Sequence, residues 1–160
     1  MAVFHFTFHA YRSWNADHPR GYVHRGEKGI LLPDETMARA RDSMANFSAV
    51  RFDEEETRFL VAESHDVTRR REVVLYGVTA METHLHIVVG WKEKRDEEDV
   101  QMRLKQGFGF VMAQRRGTTG RPYFSRGGVP ERVKDMKHLR YLLEVYLPKH
   151  RAAMWCMKLK

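Results

Sequence analysis

The sequence predicts an α+β domain, a mainly antiparallel β-sheet with helices packed on it. Residues 3–10 alternate Phe4, Phe6 and Phe8 with His5, Thr7 and His9, the period of a half-buried strand. Segments 72–80 and 83–91 are apolar and separated only by Met81-Glu82, the spacing of an antiparallel hairpin. Helical patterns interleave with these strands in the order βα(α)ββαβα, which places helices against such a sheet.

The elements follow in chain order. After the first strand, residues 11–29 are rich in Gly, Pro, Asn and Asp with interspersed aromatics, and read as a long ordered loop of the kind that often carries function. Pro33-Asp34-Glu35 opens a helix expected to run to Phe47, with its acids at the positive end of the helix dipole. A second helix is expected from Glu54 through His65 or Arg70, acidic at its start and closed by Arg69-Arg70-Arg71. Residues 97–116 form a third, with Gly107 and Gly109 weakening its middle. Residues 115–130 read as a basic loop with a short strand at Tyr123-Phe124-Ser125. The last helix spans 133–146, with Met136, Leu139, Leu142 and Leu143 on its apolar face.

With 160 residues, the chain fits one domain, 1–160. Its 42% hydrophobic content is too apolar for disorder, and no apolar run is long enough to span a bilayer. The N-terminus reads as a strand rather than a signal peptide, so a cytoplasmic protein is expected. One cysteine, Cys156, excludes an intramolecular disulfide and a Cys-rich zinc module. The net charge of +7 fits a polyanion-binding protein and a merely soluble basic surface equally well. Basic residues outnumber acids from Arg115 to Arg151, which predicts a positive surface at one end.

The most informative tripeptide is His84-Leu85-His86. Residues i and i+2 of a strand project to one face, so both imidazoles can converge on one ion while Leu85 enters the core. On its own the motif is also that of two histidines on a solvated strand face. The apolar continuation Ile87-Val88-Val89 marks a central strand instead. Near the C-terminus, Tyr146 and His150 are four apart and share a helical face, whereas Tyr141 has Val145 at that offset. By spacing alone, the reading of Tyr146 as a core aromatic on an amphipathic helix wins. Pro148 disfavours helical dihedrals at Leu147, so a kink or an end is expected there.

The segment Met81-Glu82-Thr83-His84-Leu85-His86-Ile87-Val88-Val89 resembles the His-hydrophobic-His signature of the IS200-like single-tyrosine transposases, within the HUH endonuclease superfamily that includes the REP-associated tyrosine transposases. Tyr146-Leu147-Pro148-Lys149-His150 resembles their tyrosine motif, and the opening strand with the loop through Trp14 and Arg20-Gly21 resembles their N-terminal region. The resemblance spans nearly the whole chain. It departs from the family where Glu82-Thr83 replaces the frequent Pro-Asn, and where His150 stands in place of the usual Gln or Asn.

The resemblance implies a ferredoxin-like fold, usually dimeric, that cleaves and rejoins single-stranded or hairpin DNA. Tyr146 matches the catalytic nucleophile. His84, His86 and His150 match ligands of a divalent ion, magnesium or manganese. Because a phosphotyrosine keeps the energy of the broken linkage, no nucleotide cofactor is expected, and no Walker-type loop is present. Candidate DNA contacts are Arg12, Trp14 and Arg20 on the aromatic loop, with Tyr11, Tyr22 and Arg25 beside them, and Arg115, Arg116, Arg121 and Arg126 on the basic segment.

Overall fold

The structure is a computed structural model that describes residues 1–22, 29–92 and 94–159. Five antiparallel strands form one sheet: β1 (Ala2–His9), β2 (Val74–Ala80), β3 (His84–Trp91), β4 (Glu131–Arg132) and β5 (Ala153–Cys156), in the order β4-β1-β3-β2-β5. Four α-helices accompany it: α1 (Glu35–Ser43), α2 (Glu54–Arg69), α3 (Glu97–Arg116) and α4 (Met136–Tyr141). The α+β expectation is therefore met. None of the described helices is long and apolar enough to cross a membrane.

Each long helix is fixed by its ends. Asp53 and Glu56 form a reciprocal capping box on α2, satisfying two of its free N–H groups. Asp96 accepts from the N–H groups of Glu98 and Asp99 at the start of α3, and Gly117 ends that helix with φ 61°. Gly107 leaves α3 unbroken and has a use: a Cβ there would lie 2.5 Å from the Arg71 guanidinium, which runs across this face of the helix.

β1 is clamped between β3 and β4, and its register with β3 sets Phe8 opposite Leu85 and Phe6 opposite Ile87. These residues belong to the main core with Phe4, Val78, Val89, Leu60, Leu104 and Phe108, which α2 and α3 cover. A second, smaller core lies on the opposite face, where Val88 meets Leu139, Leu142, Leu143 and Leu147. There Gly77 lets the terminal segment approach: an added Cβ would stand 2.6 Å from Leu143 Cδ2 and 2.9 Å from Leu147 Cδ1.

Several boundaries differ from expectation. α1 stops at Ser43 rather than Phe47, because Ser43 Oγ donates back to the Ala40 carbonyl and the Phe47 carbonyl is instead engaged by Arg12. Residues 123–125 form no strand. They make one bridge, Ala10 to Phe124, and the strand on that edge is Glu131–Arg132, opposite Phe4 and His5. The last helix begins at Met136, not at 133, since Val133 N–H is bonded to the Val3 carbonyl at 2.9 Å and extends the sheet edge. Met136 is 57% exposed and leaves the expected apolar face. After Tyr141 the chain widens into a π-helical turn, Leu142–Tyr146, with Leu147 N–H reaching the Leu142 carbonyl at 2.9 Å. Pro148, which has no N–H to give, then starts a 3₁₀ turn, Pro148–His150. β5 was not anticipated at all; its four residues are too few to show a period.

Candidate metal and tyrosine site

The candidate site lies on the side of the sheet opposite the phenylalanines. On β1, His5, Thr7 and His9 alternate with Phe4, Phe6 and Phe8; on β3, His84 and His86 flank the buried Leu85. The β1–β3 register puts His9 opposite His84 and Thr7 opposite His86. Five polar side chains are thereby gathered on two neighbouring strands by strand period together with the β1–β3 register.

The turns after α4 close the site. The ligand atoms of His84, His86 and His150 all lie within 4.8 Å of one another. The ring centroids of His86 and His150 are 4.8 Å apart, and those of His84 and His86 5.0 Å. Tyr146 stands in the same volume, its ring 5.3 Å from those of His86, His150 and His5. The expected sharing of a face by Tyr146 and His150 is thus met, although a π turn and a 3₁₀ turn deliver it rather than an α-helix. Tyr141 is 49% exposed, with its ring 6.4 Å from that of Tyr146.

Electrostatics keep these histidines neutral. Burial, reinforced by His9 and His150, lowers the His84 pKa to about 4, and burial with the neighbouring imidazoles lowers that of His86 to about 2. Burial also lowers His150, helped by Lys149 and His5. Neutral imidazole is the metal-binding form. Two further features fit a metal: His84 Nδ1 is engaged by Thr83 Oγ1 at 3.0 Å, and His150 Nε2 is buried without a hydrogen-bond partner. A buried orphan nitrogen facing two other imidazoles is what a bound cation would satisfy.

The Tyr146 hydroxyl is not acidified by the protein. Burial, Glu131 and Tyr141 all raise its pKa, and only Arg20 opposes them. Lys149, within the motif but assigned no role from sequence, places its ammonium 3.9 Å from the centre of the Tyr146 ring.

The proposed nucleic-acid contacts divide. Trp14 stacks on His18 with ring centroids 3.9 Å apart, meets His9 edge-on at 5.3 Å, and carries the Arg20 guanidinium 5.8 Å from its ring. Trp14 and Arg20 therefore border the histidine cluster. Arg12 lies beyond, held by Asp42 and the Phe47 carbonyl. Tyr11 packs against the main core, and Tyr22 is buried and pairs with Leu31, so these two serve packing rather than an exposed stacking surface. Arg25 lies outside the described residues.

On the basic segment, Arg116 grips Glu56 through two contacts of 2.6 Å and donates to the Arg51 carbonyl at 2.7 Å. Arg115 pairs with Glu55 at 3.3 Å, and Arg121 donates to the Ser48 carbonyl at 2.9 Å between the rings of Phe47 and Tyr123. These three hold the fold together, and a phosphate would have to displace those partners. Arg126 is exposed and lines an open groove of about 920 Å³ with Gln101 and Lys105, beside α3.

Sequence reasoning missed His5, Thr7, His9 and Glu131. The signal was present for three of them: the alternation that singled out His84 and His86 also runs through β1. Compared with protein-family models, with curated proteins and with solved structures, the chain has no match in any of the three.

Proposed function

We propose that this chain is a metal-dependent, tyrosine-using nuclease and strand transferase of the HUH single-tyrosine type, acting on single-stranded or hairpin DNA. The observation that carries the reading is the meeting of Tyr146 with His84, His86 and His150 in one small volume of one chain, with ring centroids 5.3 Å from Tyr146 to both His86 and His150. The order β4-β1-β3-β2, all antiparallel, supports a ferredoxin-like arrangement extended by β5.

His84, His86 and His150 would hold a divalent ion, which would supply positive charge to offset the negative charge developing at the phosphate during attack. An all-imidazole donor set suits manganese better than magnesium, which prefers oxygen ligands. Tyr146 Oη gives up its proton and forms a bond to phosphorus; the bond to the 3′ oxygen breaks, and that oxygen leaves as a hydroxyl after taking a proton. The product is a 5′-phosphotyrosine. Attack on it by a 3′-hydroxyl reverses the steps and rejoins the strand without a nucleotide cofactor. Trp14 and Arg20, at the border of the site, offer a stacking face and a phosphate contact to the unpaired strand.

The raised Tyr146 pKa favours one second reading, a phosphodiesterase in which water is the nucleophile and the phenol only positions substrate. One experiment separates the two. Purified protein is incubated with labelled hairpin DNA and manganese, then run on a denaturing gel. A labelled covalent adduct, lost in Tyr146→Phe and kept in Tyr141→Phe, is expected. Cleavage that persists without any adduct would establish the water mechanism, and an adduct surviving in Tyr146→Phe would remove Tyr146 from the reaction.

A further inference from the structure

We propose that Glu131 and His5 form an outer relay that fixes the proton of His86 on Nδ1, leaving Nε2 bare to bind a divalent metal. The inference rests on the metal-binding reading of the three histidines.

Glu131 and His5 are directly opposed across β4 and β1, which brings Glu131 Oε2 to 3.0 Å from His5 Nδ1. An ionised carboxylate can only accept, so a neutral His5 carries its proton on Nδ1 and its Nε2 is bare. That bare nitrogen lies 3.0 Å from His86 Nδ1. Two lone pairs do not face each other at this distance, so His86 Nδ1 carries the proton and donates it. Thr7 Oγ1, also 3.0 Å away, accepts from the same N–H. The remaining nitrogen of His86 is then free for an ion. Had the bonds run the other way, with His5 Nε2–H donating to His86, a neutral His86 would be protonated on Nε2 and closed to a metal.

The carboxylate also faces a second element. His138 on α4 accepts the Lys134 N–H on Nδ1 at 3.3 Å, so its own proton sits on Nε2, and that nitrogen faces Glu131 Oε1 at 3.7 Å. Glu131 therefore acts through His5 as a positioning residue, two rings away from the ion. His84 has a nearer partner on its own Nδ1, Thr83 Oγ1 at 3.0 Å, a hydroxyl that can serve as donor or acceptor. Outer partners of this kind set both ring orientation and ligand strength.

The Glu131 side chain is 57% exposed, so the isosteric Glu131→Gln leaves the fold intact while replacing an acceptor-only carboxylate by an amide that can turn either its oxygen or its N–H group to His5 Nδ1 and so no longer fixes that proton. In metal-free, ¹⁵N-labelled protein, a long-range ¹H–¹⁵N correlation spectrum reads the His86 tautomer. The wild type is expected to show a protonated Nδ1 and a bare Nε2, and Glu131→Gln a growing Nε2-protonated population. Calorimetric titration with manganese is expected to show affinity weakened about tenfold or more in the variant. A wild-type His86 protonated on Nε2, or manganese affinity unchanged in Glu131→Gln, overturns the relay. A wild type with the expected tautomer that binds neither manganese nor zinc overturns the metal reading and leaves the tautomer assignment supported.

Discussion

On one side of the sheet, Phe4, Phe6, Phe8, Leu85, Ile87 and Val89 are sealed beneath α2 and α3. On the other, His5, Thr7, His9, His84 and His86 occupy the intervening positions of the same two strands, under a short helix and two irregular turns. Both sides are set by one alternation, and they differ in what covers them. The phenylalanine side is closed by two long capped helices and gains its stability from apolar burial. The histidine side is closed by a π turn and a 3₁₀ turn, which supply a phenol and a third imidazole at the cost of regular helix. The main apolar core and the candidate site thus lie on opposite faces of one sheet, with only the smaller core of Val88, Leu139, Leu142, Leu143 and Leu147 sharing the site's face.

That division can be broken from either side. The largest effect is expected from Tyr146→Phe, which should abolish covalent adduct formation on denaturing gels while leaving the urea midpoint close to wild type, because the half-buried ring is kept. The reverse pattern is expected from Phe6→Ala. A cavity in the fully buried core should cost about 3–5 kcal/mol in urea unfolding, with manganese affinity of the remaining folded protein changed far less. Equal losses in both measurements would show that the faces are not independent.

Gly77→Ala sharpens the comparison, since its Cβ would collide with Leu143 and Leu147 just where the π turn rests on the sheet. A destabilisation of about 1–3 kcal/mol is expected, together with a lower adduct yield as Tyr146 shifts. Unchanged adduct yield would mean that the turn moves without the phenol.

The smallest effect concerns the helix side. The ion pair with Arg116 lowers the Glu56 pKa, with burial and Asp53 opposing or adding smaller shifts. A carboxylate of lowered folded pKa contributes stability above the ordinary glutamate range, and that contribution is lost as pH falls through the folded value. Glu56→Gln should therefore cost about 1–2 kcal/mol at neutral pH and flatten the acid limb of the stability profile. Manganese binding at neutral pH should not change.

Much of this was legible in the residues. The alternation in β1, the hairpin of β2 and β3, and the capped ends of α2 and α3 follow from local period and capping chemistry, which act between near neighbours. The pairing of His84 with His86 is equally local, because a strand of any origin turns i and i+2 to one face. The short elements were not legible. β4 and β5 have two and four residues, too few for a period, and they exist because β1 and β2 offer free edges to pair with. The partners of the basic segment were not legible either, because charge counts do not reveal them: Arg115, Arg116 and Arg121 face Glu55, Glu56 and a backbone carbonyl that are distant in sequence.

The sequence by itself determined the two-faced strands, the histidine pair and the identity of the side chains that could act, since these depend on backbone period and on side-chain chemistry. Only the tertiary structure decided that β1 lies beside β3, so that His5 and Thr7 support His86, and that Gly77 admits the π turn bringing Tyr146 and His150 to the same place. Strand order and close approach are set by packing between segments far apart in the chain, and no local pattern encodes a distance between them.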